Sequence, residues 1–172
     1  GVILEPDTQG NNLSVAHAID ISQAYTDLVV SNIQVPEQAQ SGETIAVTWT
    51  VSNVGNQITD LALWSDRIVL SRDAVVSSDD VVLAGNVTHL GQLAPNQQYT
   101  GRATLTLPRD VSGDFYLMVN TNQQGSVTET DHRDNNSLSQ AIRINLSPVA
   151  DLSATILSAP TVLRPNQVAT LT

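Results

Sequence analysis

Between Gly42 and Gly55 the chain alternates. Ile45, Val47, Trp49 and Val51 fall on one face of an extended backbone, and Thr44, Thr48, Thr50 and Ser52 fall on or near the other. A two-residue period sends successive side chains to opposite faces of a pleated strand, and a helix cannot gather such a pattern on one side. The pattern returns along the chain. Strands are expected near 27–35, where Pro36 stops the run, and near 43–53, 62–71, 80–88, 98–107, 113–121 and 137–146. The last three carry Ala103, Leu105 and Leu107, then Phe115, Leu117 and Val119, then Leu138, Ile142 and Ile144. Gly-, Pro- and Asn-bearing turns separate them, as in Asn53-Val54-Gly55-Asn56. Seven short strands in about 120 residues, without helical periodicity, predict an all-β fold, an immunoglobulin-like two-sheet antiparallel sandwich. A barrel is the second choice.

Composition narrows the function. Hydrophobic residues make up 41% of the chain but aromatic ones only 3%, so Val, Leu, Ile and Ala must fill the core. Seven Lys and Arg stand against 17 Asp and Glu, a net charge of −10. That charge repels phosphate backbones and anionic lipid, which argues against nucleic-acid or membrane-surface partners. The chain has no Cys, so it has no disulfide framework, thiolate zinc site or Cys nucleophile. No run reaches the roughly 18 apolar residues that cross a bilayer.

The chain also repeats itself. Residues 3–12 read ILEPDTQGNN and residues 127–136 read VTETDHRDNN. Glu5 corresponds to Glu129, Asp7 to Asp131 and Asn11-Asn12 to Asn135-Asn136, always 124 residues apart. Asp27-Leu28 and Asp151-Leu152, then Pro36 and Pro160, keep the same offset. One offset in two separate blocks predicts a tandem repeat. Residues 1–24 are then the end of one repeat, 25–148 a whole one, and 149–172 the first two strands of the next. Residues 23–26 and 147–150 are expected as short linkers. Strands near 12–22, 151–159 and 167–172 would lack the rest of their own sandwiches. Unpaired edges seek partners, so self-association through these cut repeats is expected alongside contact with neighbouring repeats.

The order of these segments resembles a known family. DLVVSNIQVPEQAQSGETIAVTWTVSNVGN (27–56), WSDRIVLSRD (64–73), SSDDVVL (77–83), GDFYLMVNT (113–121) and VTETDHRDNN (127–136) resemble, in sequence and spacing, the bacterial cell-adhesion-related domain, CARDB. The resemblance implies an immunoglobulin-like fold in large secreted or surface-anchored proteins, often in tandem. It places the chain outside the cell or on its surface, with a cell-surface or matrix ligand as partner. Ile68-Val69 depart from the family pattern, which would place an aromatic in that strand.

Three groups of residues invite chemistry. Glu129, Asp131, Asp134, Asn135 and Asn136 form an acidic hairpin, and Ca²⁺ takes oxygen ligands from such loops. The alternative is a solvated hairpin whose Asn and Asp side chains satisfy turn backbone. Asp73, Asp79 and Asp80, with Asp66 before them, form a second acidic group. It would serve Ca²⁺ or simply mark a turn and keep a strand edge soluble. Trp64 is the candidate for stacking on a sugar ring, whereas Trp49 shares the apolar face of its strand and belongs to the core. His17, His89 and His132 show no metal-ligand spacing, and no Gly-x-Ser-x-Gly elbow or phosphate-cradling glycine loop occurs. No catalytic residue is assigned. A structural or adhesive module is the leading expectation. A carbohydrate- or peptide-binding accessory module of a secreted hydrolase is the alternative, and an exposed Trp64 would favour it.

Overall fold

The computed structural model describes residues 16–148 and positions 152, 153, 155, 164–166 and 168. Eight strands follow one another: β1 (Leu28–Gln34), β2 (Gln38–Gln40), β3 (Thr44–Asn53), β4 (Leu63–Ser71), β5 (Val81–Leu90), β6 (Gln98–Thr106), β7 (Gly113–Asn120) and β8 (Ser137–Asn145). No helix occurs among the described residues. Seven of these strands match the alternating segments, because the face a side chain takes in a strand is a local property of the backbone.

The strands form two sheets, of order β1-β3-β6 and β2-β8-β7-β4-β5. Every pair is antiparallel except β2 with β8, which is parallel. The three residues of β2 are too few to show alternation, so the sequence did not reveal it. Their partners come from the far end of the domain: Ala39 lies beside Ile144.

The core lies between the sheets. Ile45, Val47, Trp49 and Val51 all face it, as do Ile68, Leu70, Leu117, Val119, Ile142 and Ile144. Leu138 does not: it is 39% exposed. Three strands cannot cover five, and the start of β8 is left open. Trp49 is fully buried against Gly101, its cross-strand partner on β6. A Cβ at Gly101 would sit 2.2 Å from the indole Cε2. The position must be glycine for the largest core side chain to lie flat on the next strand.

The N-terminal approach differs from expectation. Residues 16–27 form no strand. Tyr25 and Thr26, expected in a linker, are packed into the domain. The Tyr25 carbonyl accepts hydrogen bonds from the Asn56 and Gln57 amides at 3.1 and 3.0 Å, and Thr26 is buried. The expected strands at 151–159 and 167–172, apart from 152, 153, 155 and 168, and the repeat-matched residues 3–12 lie outside the described residues.

Candidate functional site

The acidic hairpin is the connection from β7 to β8, residues 121–136. Its five candidate residues divide into two kinds. Glu129 is buried, and both of its carboxylate oxygens are occupied. Oε1 accepts the Leu28 backbone N–H at 2.6 Å. Oε2 accepts the side-chain amides of Asn122 at 2.6 Å and Asn136 at 2.7 Å. Asn122 holds a left-handed backbone (φ 47°), and its amide clamps both the N–H and the carbonyl of Val127. Glu129 thus ties the first residue of β1 to a loop 101 positions later.

Asp131 and Asp134 are exposed. Asp131 adopts φ 59°, a left-handed turn conformation that Asp tolerates better than most residues. Asn135 donates to Asp27 Oδ1 at 2.9 Å. His132 stacks on Tyr25 with ring centroids 4.5 Å apart, and its Nδ1 lies 3.8 Å from Asp27 Oδ2. The side-chain oxygens of Asn135 and Asn136 are buried without a protein partner.

The second acidic group closes on its own turn. Asp73 Oδ1 accepts the Val75 N–H at 2.9 Å. Asp80 Oδ2 accepts the Ser77 N–H at 2.7 Å, and the Ser77 hydroxyl donates to Asp79 and Asp80. Such side-chain to backbone bonds define turns. Asp66 is not part of this group. It shares the inner face of β4 with Trp64 and Ile68 and is buried in the sandwich.

Asp66 is the polar centre that the sequence did not expose. Oδ2 accepts Trp49 Nε1–H at 2.7 Å, and Oδ1 accepts the Thr121 hydroxyl at 2.7 Å. The Tyr99 hydroxyl lies 2.9 and 2.8 Å from the two oxygens. Tyr99 in turn accepts Trp64 Nε1–H at 3.2 Å. Burial pushes the Asp66 carboxyl above its usual range, opposed by the bonds from Thr121, Trp49 and Tyr99. Burial and the Asp66 charge push the Tyr99 phenol upward too. His89 stacks on Tyr99 at 3.8 Å, and its burial holds its pKa below the ordinary value. The signal was present in the alternation, since Trp64, Asp66 and Ile68 are two apart.

Trp64 is 2% exposed. It packs against His89 and Tyr99 and offers no platform for a sugar ring, so the candidate stacking residue is a core residue instead. The donor sets also fit a calcium ion poorly. Ca²⁺ takes six to eight oxygens, whereas the Glu129 oxygens already serve three protein donors. Two neutral amide oxygens, with one carboxylate beside Asn135, do not replace them. Among the described residues no three His, Asp or Glu side chains converge on a metal position.

A two-sheet sandwich whose buried polar side chains bind its own backbone and core is a β-sandwich domain of immunoglobulin-like type. The CARDB family model matches residues 25–140, two thirds of the chain, and the chain belongs to that family. Solved structures agree on the fold. The CARDB domain of the PF1109 protein from Pyrococcus furiosus, crystallised in complex with di-metal ions, is 16% identical and superimposes with a TM-score of 0.54. That match covers 74% of this chain and 100% of that domain. Its solution NMR structure is 14% identical with a TM-score of 0.50, covering 73% and 100%. A β-glucosidase from Erythrobacter marinus is 14% identical over 70% of this chain but only 16% of its own, and its TM-score of 0.46 carries no argument. A search of curated proteins finds no match.

Proposed function

We propose that the chain is a non-catalytic, adhesion-type module of a large secreted or surface-anchored bacterial protein, repeated in tandem along it. One observation carries the non-catalytic part. The buried carboxylates, Glu129 and Asp66, are enclosed by protein donors and bear on the fold, not on an open cleft. The 124-residue offset supports the tandem arrangement, and family membership supports the adhesive one. In this reading the partners are neighbouring repeats and a ligand on a cell surface or matrix. Calcium stays outside it, because Glu129, Asp73, Asp79 and Asp80 are already engaged by protein donors; the di-metal ions belong to the Pyrococcus domain.

The test is retention under flow. Beads carrying the folded chain are compared with beads carrying heat-denatured chain on bacterial and matrix-coated surfaces. Retention specific to the folded chain supports the adhesive role. Equal retention overturns it, and turnover of glycoside or peptide substrates by the purified chain overturns the non-catalytic role.

A further inference from the structure

The larger sheet ends at β5, which pairs with β4 alone among the described residues. Its outer edge therefore carries N–H and C=O groups without a strand partner among the described residues. Edge strands are normally guarded by charge, proline, shortness or bulges. β5 is ten residues long, VVLAGNVTHL, with neither a charged residue nor a proline. It opens the longest uncharged stretch of the chain, from Val81 to Gly101. Two register shifts against β4 guard only its first half: Asp66 pairs with Val87, Ile68 with Ala84 and Val69 with Val82. From Val87 to Leu90 the strand is regular, and it ends in the exposed pair Leu63 and Leu90.

We infer that this edge docks the same edge of a second copy, antiparallel across a two-fold axis at Thr88. The charge pattern selects the occupant. In a self-paired strand a charge on the axis or beside it meets its like. The other edges are guarded: β6 carries Arg102 at its centre, β2 is only three residues long, and β1 is interrupted by a register shift at the left-handed Asn32. On a chain of net charge −10, β5 is the long edge on which two copies meet without like-charge contact. A two-fold axis normal to the sheet keeps inner side chains with inner ones. Thr88 then faces Thr88, Val87 faces His89 and Leu90 faces Asn86 across the interface. The two five-stranded sheets become one of twice the width. The contact is independent of the adhesive reading.

Sedimentation across micromolar to millimolar concentration tests it on the full chain. Wild type forms a dimer. Thr88→Lys and Thr88→Glu, each with wild-type melting temperature, stay monomeric where wild type is dimeric, because each sets two like charges on the axis. An equimolar mixture of the two variants restores the dimer. Because the chain has no Cys, Thr88→Cys adds a clean readout: it cross-links to itself on mild oxidation while Gln140→Cys, exposed on β8, does not. A wild type that stays monomeric throughout overturns the inference. So does a Thr88→Lys dimer of wild-type affinity, or a mixture that stays monomeric.

Discussion

The indole of Trp49, on the three-stranded sheet, donates a 2.7 Å hydrogen bond to the carboxylate of Asp66, on the five-stranded sheet. A polar bond thus crosses the middle of an apolar sandwich. Both side chains are nearly inaccessible, at 0% and 1% exposure. Buried polar groups raise the cost of any imperfect alternative, so this bond favours a single alignment of the sheets.

Removing the acceptor strands its donors. Asp66→Ala leaves Trp49, Tyr99 and Thr121 facing a cavity, and unsatisfied buried donors cost roughly 1–3 kcal/mol each. Urea unfolding is expected to show a loss of at least about 3 kcal/mol. Asp66→Asn retains one acceptor oxygen and is expected to lose less.

The same carboxylate gives stability a pH dependence of unusual sign. Its folded pKa lies above the ordinary 3.8, so between those values the folded chain binds more protons than the unfolded one. Its contribution is therefore greatest below 3.8 and declines as pH rises through the folded value. Relative to Asp66→Asn, wild type is expected to gain stability as pH falls from neutral toward 3.8. Denaturant midpoints of both proteins across that range check it, and a parallel pair of curves contradicts it.

Glu129 is expected to behave as a structural tie. Glu129→Ala removes the acceptor of the Leu28 amide and of two buried Asn amides, a loss of about 3 kcal/mol or more. Glu129→Gln turns an amide N–H toward groups that are themselves donors and is expected to be nearly as damaging. Hydrogen exchange at Leu28 separates this from general loosening, because its protection should fall first in both variants.

Gly101 tests the packing of the core. In Gly101→Ala the new Cβ meets the Trp49 indole at 2.2–2.5 Å, closer than the two can share. Trp49 must leave its position and stretch or break its bond to Asp66. Overpacking typically costs about 1–3 kcal/mol, and the strained bond adds to it. Melting temperature and the tryptophan fluorescence maximum are both expected to shift.

Calcium offers a direct check on the acidic loops. A ligand bound by the folded chain alone raises the melting temperature by mass action. With Glu129, Asp73, Asp79 and Asp80 all engaged by protein donors, millimolar Ca²⁺ is expected to leave it unchanged. A rise of several degrees that Asp134→Asn abolishes would give the β7–β8 hairpin a metal role.

Much of this architecture is legible one segment at a time. Alternation alone identifies β3 and puts Trp49 on its buried face, since in a pleated strand facing depends only on parity. It also puts Asp66 in line with Trp64 and Ile68, a buried acid visible in the sequence to a reader who follows parity over charge. The uncharged run of β5 is equally plain in the sequence. What alternation cannot supply is which distant segments meet. Only the folded chain brings Glu129 to the Leu28 amide, Tyr99 and Thr121 to Asp66, and Ala39 beside Ile144. Only the strand order makes β5 an edge and β3 a centre. Those contacts depend on three-dimensional proximity between residues far apart in the chain, and no local pattern encodes it. An acidic hairpin that reads in sequence as either a cation site or a turn holds β1 in the fold, through the bond from the Leu28 amide to Glu129.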